Sequence, residues 1–358
     1  MAIDNRIYIV KVGSNTLVDD QGSLRREVIR NILSAAIRLL NRGDKIMIVT
    51  SGASKLGRSI MLNRQLPTNV ITGVGQMELY KSYQEEALGL NVVLAELLVS
   101  RPHILRRTQF LQLQKTVDSF LKNNIIPLIN ENDALVAGTD WSFGDNDSLA
   151  SALSIAFRAH KLIILTHVDG LYEDDPEKNQ QARLMEEVTD VNKQLLKYCS
   201  GNVSSGGRGG MISKLKAIRI CTAVGIEAQI VNGLKTDNLR LALENGKVGT
   251  VFRSRSVVKN ISNRQRWLLA AKNSAGSIEV DEGAARALLS GKSLLAVGIK
   301  KVHGQFETDE IIEIMDKNKE GIALGVIDYD DDQIRTMLEK NDLYNKQLMH
   351  ADNILLIK

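Results

Sequence analysis

Cysteine is nearly absent: Cys199 and Cys221 are the two in 358 residues, and their separation matches no metal-ligand pattern. They read as ordinary thiols of a reducing compartment. The five histidines, at positions 103, 160, 167, 303 and 350, are scattered and also lack metal-ligand spacing; no protein ligand is assigned to a metal. Neither a Ser–His–Asp nor a Cys–His set can be assembled from motifs, so those routes of covalent catalysis find no candidates. No run approaches the roughly 18 apolar residues of a membrane span. The start, MAIDNRIYIVKVGSN, carries an acidic residue and reaches a strand by Ile7, unlike a secretory leader. A cytoplasmic location is expected. The formal net charge of +4 is too small for a chain this long to argue a nucleic-acid partner.

What is present is ordinary globular material, 44% hydrophobic and 25% charged. A single core rarely grows past about 250–300 residues, so two domains are expected. Apolar runs at Arg6–Gly13, Lys45–Ala53, Asn91–Ser100, Ile125–Asp133, Lys161–Tyr172 and Ile226–Gly233 alternate with helical patterns. The helical patterns include Arg26–Gly43, Thr108–Asn124 and the stretch after Gly206. Such alternation predicts an α/β domain with a largely parallel sheet. Polar residues recur where the strands end: Ser14, Ser51, Asn130 to Asp133, Thr166 and Asn232. In open α/β sheets that edge is where ligands bind.

Three motifs carry chemistry. FGDNDSLASALSIAF, from Phe143, sets Asp145, Asn146 and Asp147 before a small-residue helix whose Leu149, Ala150, Leu153 and Phe157 would share a face. One such residue suffices to cap a helix; three leave capping and function level on this stretch alone. SSGGRGGMISK places Gly206, Gly207, Gly209 and Gly210 ahead of Lys214, a backbone able to approach an anion at a helix N-terminus. It lacks P-loop spacing, and a flexible surface loop would look similar. Lys11 interrupts the apolar run IYIVKVG, which is costly unless it meets an anion or a carboxylate. Bare lysines brought together repel, and a carboxylate between them fixes and keeps them charged. Asp147 is the candidate for that organiser, with Asp145 and Asn146 facing a substrate or a metal shell. Positioned cations are what phosphoryl transfer asks of a protein.

At this point the ordered set KVGSNTL, IVTSGA, GVGQ, PLINEND, GDNDSLAS, GLYEDDP and GGMISKL resembles the amino acid kinase family, and within it the glutamate 5-kinases that carry a C-terminal PUA domain. The resemblance spans nearly the whole chain. It implies an amino acid kinase-like sandwich with a largely parallel central sheet over residues 1–255, a linker at 256–275, and a small mostly-β PUA-like domain at 276–358. It implies phosphorylation of the L-glutamate side-chain carboxylate by ATP with Mg2+, the first step towards proline. Lys11 and Lys214 would then hold the ATP phosphates, and Asp147 would organise both. Ser51, Asp133 and Asn146 would bind glutamate, with Asp145 on the substrate or magnesium side. Thr166, Gly209, Gly210 and Met211 would serve the nucleotide. The family further implies a homo-oligomer (dimer or tetramer), proline as feedback inhibitor, and glutamate-5-semialdehyde dehydrogenase as a partner. A carboxylate substrate is already an anion at neutral pH and needs no base, and acceptors for its amino group are Asp133, Asn146 and the backbone near Asn130.

Two residues depart from the family pattern, both on the nucleotide side: His167 stands where Asp is usual, and Arg208 where Thr is usual. They are the support for a second class of function, a non-catalytic RNA-binding or regulatory protein. Other amino acid kinases, acting on aspartate, N-acetylglutamate or carbamate, are a further alternative. VDEGAARALLSGKSLLAVGI carries the PUA likeness, but the acidic DYDDD at Asp328–Asp332 and the few aromatic residues weigh against RNA. A structural or regulatory role ranks above it. Trp141 and Trp267 have no stacking partner legible in the sequence.

Overall fold

The computed structural model describes residues 5–62, 64–174, 179, 181–192, 195–196, 210–254, 263–270, 276–308, 310–344 and 346–357. Its contacts divide the chain into two units, one of residues 1–100 and 114–259, the other of 101–113 and 260–358.

The first unit is an eight-stranded sheet clothed by helices. In chain order it runs β1 (Ile7–Val12), α1 (Arg26–Asn41), β2 (Lys45–Val49), α2 (Ala53–Ile60), α3 (Thr68–Gly89), β3 (Leu94–Val99), α4 (Arg107–Lys122, of which residues 114–122 belong to this unit) and β4 (Ile126–Glu131). Then follow α5 (Asn146–Ala156), β5 (Lys161–Thr166), β6 (Glu187–Val188), α6 (Met211–Ala223), β7 (Glu227–Asn232), α7 (Asn238–Leu243) and β8 (Thr250–Phe252). The strand order is β3-β4-β2-β1-β5-β7-β8-β6. All pairs are parallel except β7 with β8. Every residue of β4 and β5 is buried, as expected of parallel strands covered on both faces. β1 lies at the centre between β2 and β5, and its register sets Lys11 opposite Val49 and Ile164, near the C-terminal edge.

Helix α1 is amphipathic and buries Val28, Ile29, Ile32, Leu33, Ala36 and Leu39. Helix α5 differs from the one-faced helix its spacing predicts. Every residue from Leu149 to Ala156 is buried, because α6 packs against it on one side and strands β1, β5, β2 and β4 on the other. Its abundance of Ala and Ser lets both neighbours come close.

The second unit holds α8 (Asn263–Ala270), β9 (Gly276–Val280), α9 (Glu282–Leu289), β10 (Leu294–Leu295), β11 (Ile299–Gly304), β12 (Ile311–Met315), β13 (Gly321–Val326), α10 (Asp331–Glu339), β14 (Gln347–Met349) and β15 (Ile354–Leu356). Five strands form one sheet in the order β11-β9-β12-β13-β15, over a core that includes Ile278, Ile314, Ile322 and Leu348. Helix α8 stands within the stretch read as a linker, whose residues 256–262 and 271–275 lie outside the described ones. Its Trp267 is 1% exposed. The indole N–H donates to Ile104 O at 2.6 Å, and Arg107 lies 5.1 Å over the ring. Those partners are 160 residues or more away in sequence, which is why no local pattern announced them. Among the described residues no helix is long and apolar enough to cross a membrane.

Candidate active site

The C-terminal edge of the sheet encloses a cleft of about 490 Å³, walled by Lys11, Ser51, Asp133, Asp145, Asn146, Asp147, Thr166, His167 and Lys214, among others. Strand-edge residues Ser14 and Asn130 reach it too. Asn232 does not line it; its amide donates to Asp169 at 3.0 Å and so braces the turn after β5. Gly210 caps α6 and Met211 begins it, one turn before Lys214, but neither lines the cleft. Arg208 and Gly209, with Gly206, Gly207 and Cys199, lie outside the described residues.

The three residues at the mouth of α5 divide the work. Asp145 is the cap, its Oδ1 accepting from Ser148 N–H at 2.7 Å. Asp147, two residues on, is fully buried. Its Oδ1 lies 2.8 Å from Lys11 Nζ and its Oδ2 lies 3.3 Å from Lys214 Nζ. Ser213 Oγ donates to the same Oδ2 at 3.2 Å. Lys11 is 5% exposed and Lys214 7%. Burial opposes the Asp147 charge, yet the two lysines outweigh it and hold the carboxyl below its ordinary value. For Lys214 burial is the larger influence and lowers its pKa, with Asp147 pulling the other way. Two ammonium groups from distant elements are thereby held on one carboxylate.

Asn146 presents its amide between strands. Its Nδ2 donates to Thr50 O at 3.0 Å and to Asn130 Oδ1 at 2.9 Å. Ser51 follows β2 and donates to Val12 O at 2.6 Å, which ties the second turn to the end of β1. Gly52 makes that turn with φ of +100°, a left-handed conformation that favours glycine. Asp133 opens a one-turn helix, Asp133–Val136, after β4.

Sequence reasoning counted Glu131, the last residue of β4, among the polar residues at the strand ends but gave it no role of its own. It is 4% exposed, and its carboxylate accepts from Phe143 N–H, tethering the chain just before Asp145. Its pKa is pushed up to about 7, first by burial and further by Asp133 and Asp145; Phe143 N–H and Ser142 work against that rise. A raised carboxyl value means that ionisation costs stability in the folded state. That stability is complete below the ordinary value of 4.5 and is lost as pH climbs through about 7. Glu131→Gln is therefore expected to gain on the parent between pH 5 and pH 8, by about 3 kcal/mol at most. Melting temperatures of both proteins at the two pH values check this, and a pH-independent gap refutes it. Glu131 lay within PLINEND, but nothing separates a buried acid from an exposed one in that string. Lys55, Arg58 and Asn15 also line the cleft without having been singled out.

Comparison with known proteins places these residues in context. Residues 6–232 match the amino acid kinase family and residues 276–348 the PUA domain. The glutamate 5-kinase of Thermoanaerobacter sp. (strain X514) is 31% identical, over 98% of this chain and 97% of that protein. The glutamate 5-kinase of Prochlorococcus marinus (strain AS9601) is 33% identical, over 98% of this chain and 99% of its own length. Among solved structures, UMP kinase from Bacillus anthracis superposes with a TM-score of 0.50 at 14% identity, over 70% of this chain and 97% of that one. That last likeness speaks to the fold alone.

Proposed function

Since the chain belongs to the amino acid kinase family and to its glutamate 5-kinase branch, we infer that it transfers the γ-phosphoryl group of ATP to the side-chain carboxylate of L-glutamate. The product is L-glutamyl 5-phosphate, and the reaction is the first step of proline biosynthesis. The observation that carries this reading is the charge layout of one cleft: two lysines gathered on Asp147, with Asp133, Asp145 and Glu131 also lining it.

The chemistry follows from those charges. The attacking carboxylate is anionic at neutral pH, so no side chain has to remove a proton. The obstacle is repulsion between two anions, and Lys11 and Lys214 lower it by standing where negative charge accumulates on the transferring oxygens. Asp147, kept ionised by both, fixes their positions and touches neither reactant. The nucleotide side takes Thr166, His167, Gly210 and Met211, together with Gly209 and Arg208. The glutamate side takes Ser51, Asp133 and Asn146, and the clustered carboxylates suit a free ammonium better than an acetylated nitrogen.

Among the described residues no group of three or more His, Cys, Asp or Glu side chains could hold a metal ion. Both Asp147 oxygens are engaged with lysines. Mg2+, bound mainly through ATP oxygens and water as is its habit, would neutralise phosphate charge, with Asp145 as the hard oxygen donor in its shell. The domain limits 1–255, 256–275 and 276–358 belong to the same reading. So do a homo-oligomer, inhibition by proline and a glutamate-5-semialdehyde dehydrogenase partner, for which the family is the support. A cytoplasmic location fits a biosynthetic enzyme.

ATP-dependent hydroxamate formation with glutamate, aspartate, N-acetylglutamate and carbamate as acceptors tests the assignment. Glutamate is expected to exceed each of the others by at least about tenfold in kcat/KM. A faster reaction with any of them overturns the substrate, and no ATP consumption with any acceptor overturns the enzyme.

A further inference from the structure

A line of side-chain amides runs from an acid behind the cleft wall to Asn146. Gln76 of α3 donates through Nε2 to Glu96 Oε1 of β3 at 2.6 Å. Asn130 of β4 donates through Nδ2 to Gln76 Oε1 at 2.8 Å. Asn146 donates through Nδ2 to Asn130 Oδ1 at 2.9 Å and to Thr50 O at 3.0 Å. Glu131 N–H donates to the same Asn130 Oδ1 at 2.9 Å. Gln76 and Glu96 themselves do not line the cleft.

An amide side chain has nearly the same shape either way round, so what lies at its ends decides which way it points. Here both anchors are unambiguous. A carboxylate such as Glu96 only accepts, and a backbone N–H such as that of Glu131 only donates. Each intervening amide then has one sense that satisfies both neighbours. The outcome falls on Asn146: Nδ2 is spent on Thr50 and Asn130, while the buried Oδ1 finds no hydrogen-bond partner among the described residues. A buried acceptor on the wall of a ligand cleft calls for a donor from the ligand.

We propose that Gln76 and Glu96 are positioning residues that set substrate selectivity, holding Asn146 with its acceptor turned to the cleft so that the site requires a donor there, the α-ammonium of the amino acid substrate. The proposal rests on the glutamate reading for the identity of that donor. It also gives a role to Gln76, the last residue of the GVGQ stretch, which the phosphoryl chemistry leaves unused. The Thr50 carbonyl and the Glu131 N–H favour the same sense, and the relay adds a third hold by fixing Asn130; without it Asn130 and the Asn146 amide it receives are held more loosely, and an amide turned the other way offers N–H groups to a cation.

Glutarate, which is glutamate without the amino group, is the probe. The ratio of kcat/KM for glutamate over glutarate is measured for the full-length enzyme, Gln76→Met, Glu96→Lys and Glu96→Gln. Gln76→Met removes the link, and Glu96→Lys replaces an acceptor by a donor. Both are expected to lower the ratio about tenfold, through a higher KM for glutamate, with KM for ATP unmoved. Glu96→Gln can still accept from Gln76 and is expected to restore the parent ratio. A purely structural role would lower the melting temperature and leave the ratio where it was. Two sites of substitution keep the test open if one variant does not fold. Normal glutamate turnover with an unmoved ratio in Gln76→Met or Glu96→Lys overturns the relay alone. Failure of the parent to phosphorylate glutamate overturns the substrate reading, and the ammonium with it.

Discussion

Lys214→Ala is expected to lower kcat by about 100- to 1000-fold while the protein stays folded, the usual consequence of removing one group that stabilises the charge growing on the transferring oxygens. The fold survives because Asp147 keeps two partners, Lys11 at 2.8 Å and the Ser213 hydroxyl at 3.2 Å, so no bare carboxylate is left in the interior. The converse substitution, Asp147→Asn, is harsher on the structure. It strips the shared counter-ion from two lysines that are 5% and 7% exposed, and breaking a buried pair in this way costs about 3–5 kcal/mol. The two variants therefore separate chemistry from architecture. Lys214→Ala should lower kcat with little change in KM for glutamate and in melting temperature, whereas Asp147→Asn should lower kcat and melting temperature and raise KM. Single-turnover phosphorylation and thermal melts on both proteins decide the matter, and undiminished kcat in Lys214→Ala rejects the mechanism.

Gly75→Ala is expected to destabilise the first unit by about 3 kcal/mol or more, although it adds a single methyl group. A Cβ at Gly75 would fall 1.8 Å from Ala53 O and 2.5 Å from Gly57 N, both backbone atoms of α2 that no rotamer change can move. Helices α2 and α3 would have to part. Ala53 begins α2 directly after Ser51 and Gly52, so the same displacement drags one wall of the cleft. Weaker glutamate binding should accompany the lost stability. Gly73→Ala is the control: its Cβ would meet nothing nearer than the Ala134 methyl at 3.8 Å, and it should melt close to the parent. Equal melting temperatures for Gly75→Ala and the parent would show that the helix pair gives way more easily than its backbone contacts imply.

The relation between string and structure is clearest in the lysines. Lys11 within β1 and Lys161 at the start of β5 both adjoin apolar runs and both end up buried, at 5% and 2% exposure. Lys11 stands at the C-terminal edge of the sheet and meets Asp147 in the cleft. Lys161 opens β5 at the opposite edge, where Glu227 at 3.0 Å and Ala242 O at 3.1 Å neutralise and satisfy it. The cost of burying an amine is visible in either run, but the identity of the partner is not. The amide relay is less legible still, for Gln76, Asn130 and Asn146 are separated by 54 and 16 residues and share no periodicity.

By itself the sequence settled the parallel α/β character of the first unit, the small β domain after residue 276, and the convergence of polar residues on one sheet edge. Those properties are local: apolar periodicity chooses strand or helix, and the βα alternation then orders the sheet. Only the tertiary structure decided that Asp145 is the cap of α5, that burial pushes the Glu131 carboxyl up to about 7, and that Gln76 reaches Glu96 behind the cleft. Burial and hydrogen-bond polarity depend on which chain segments meet across the sheet, and one-dimensional spacing does not contain that meeting.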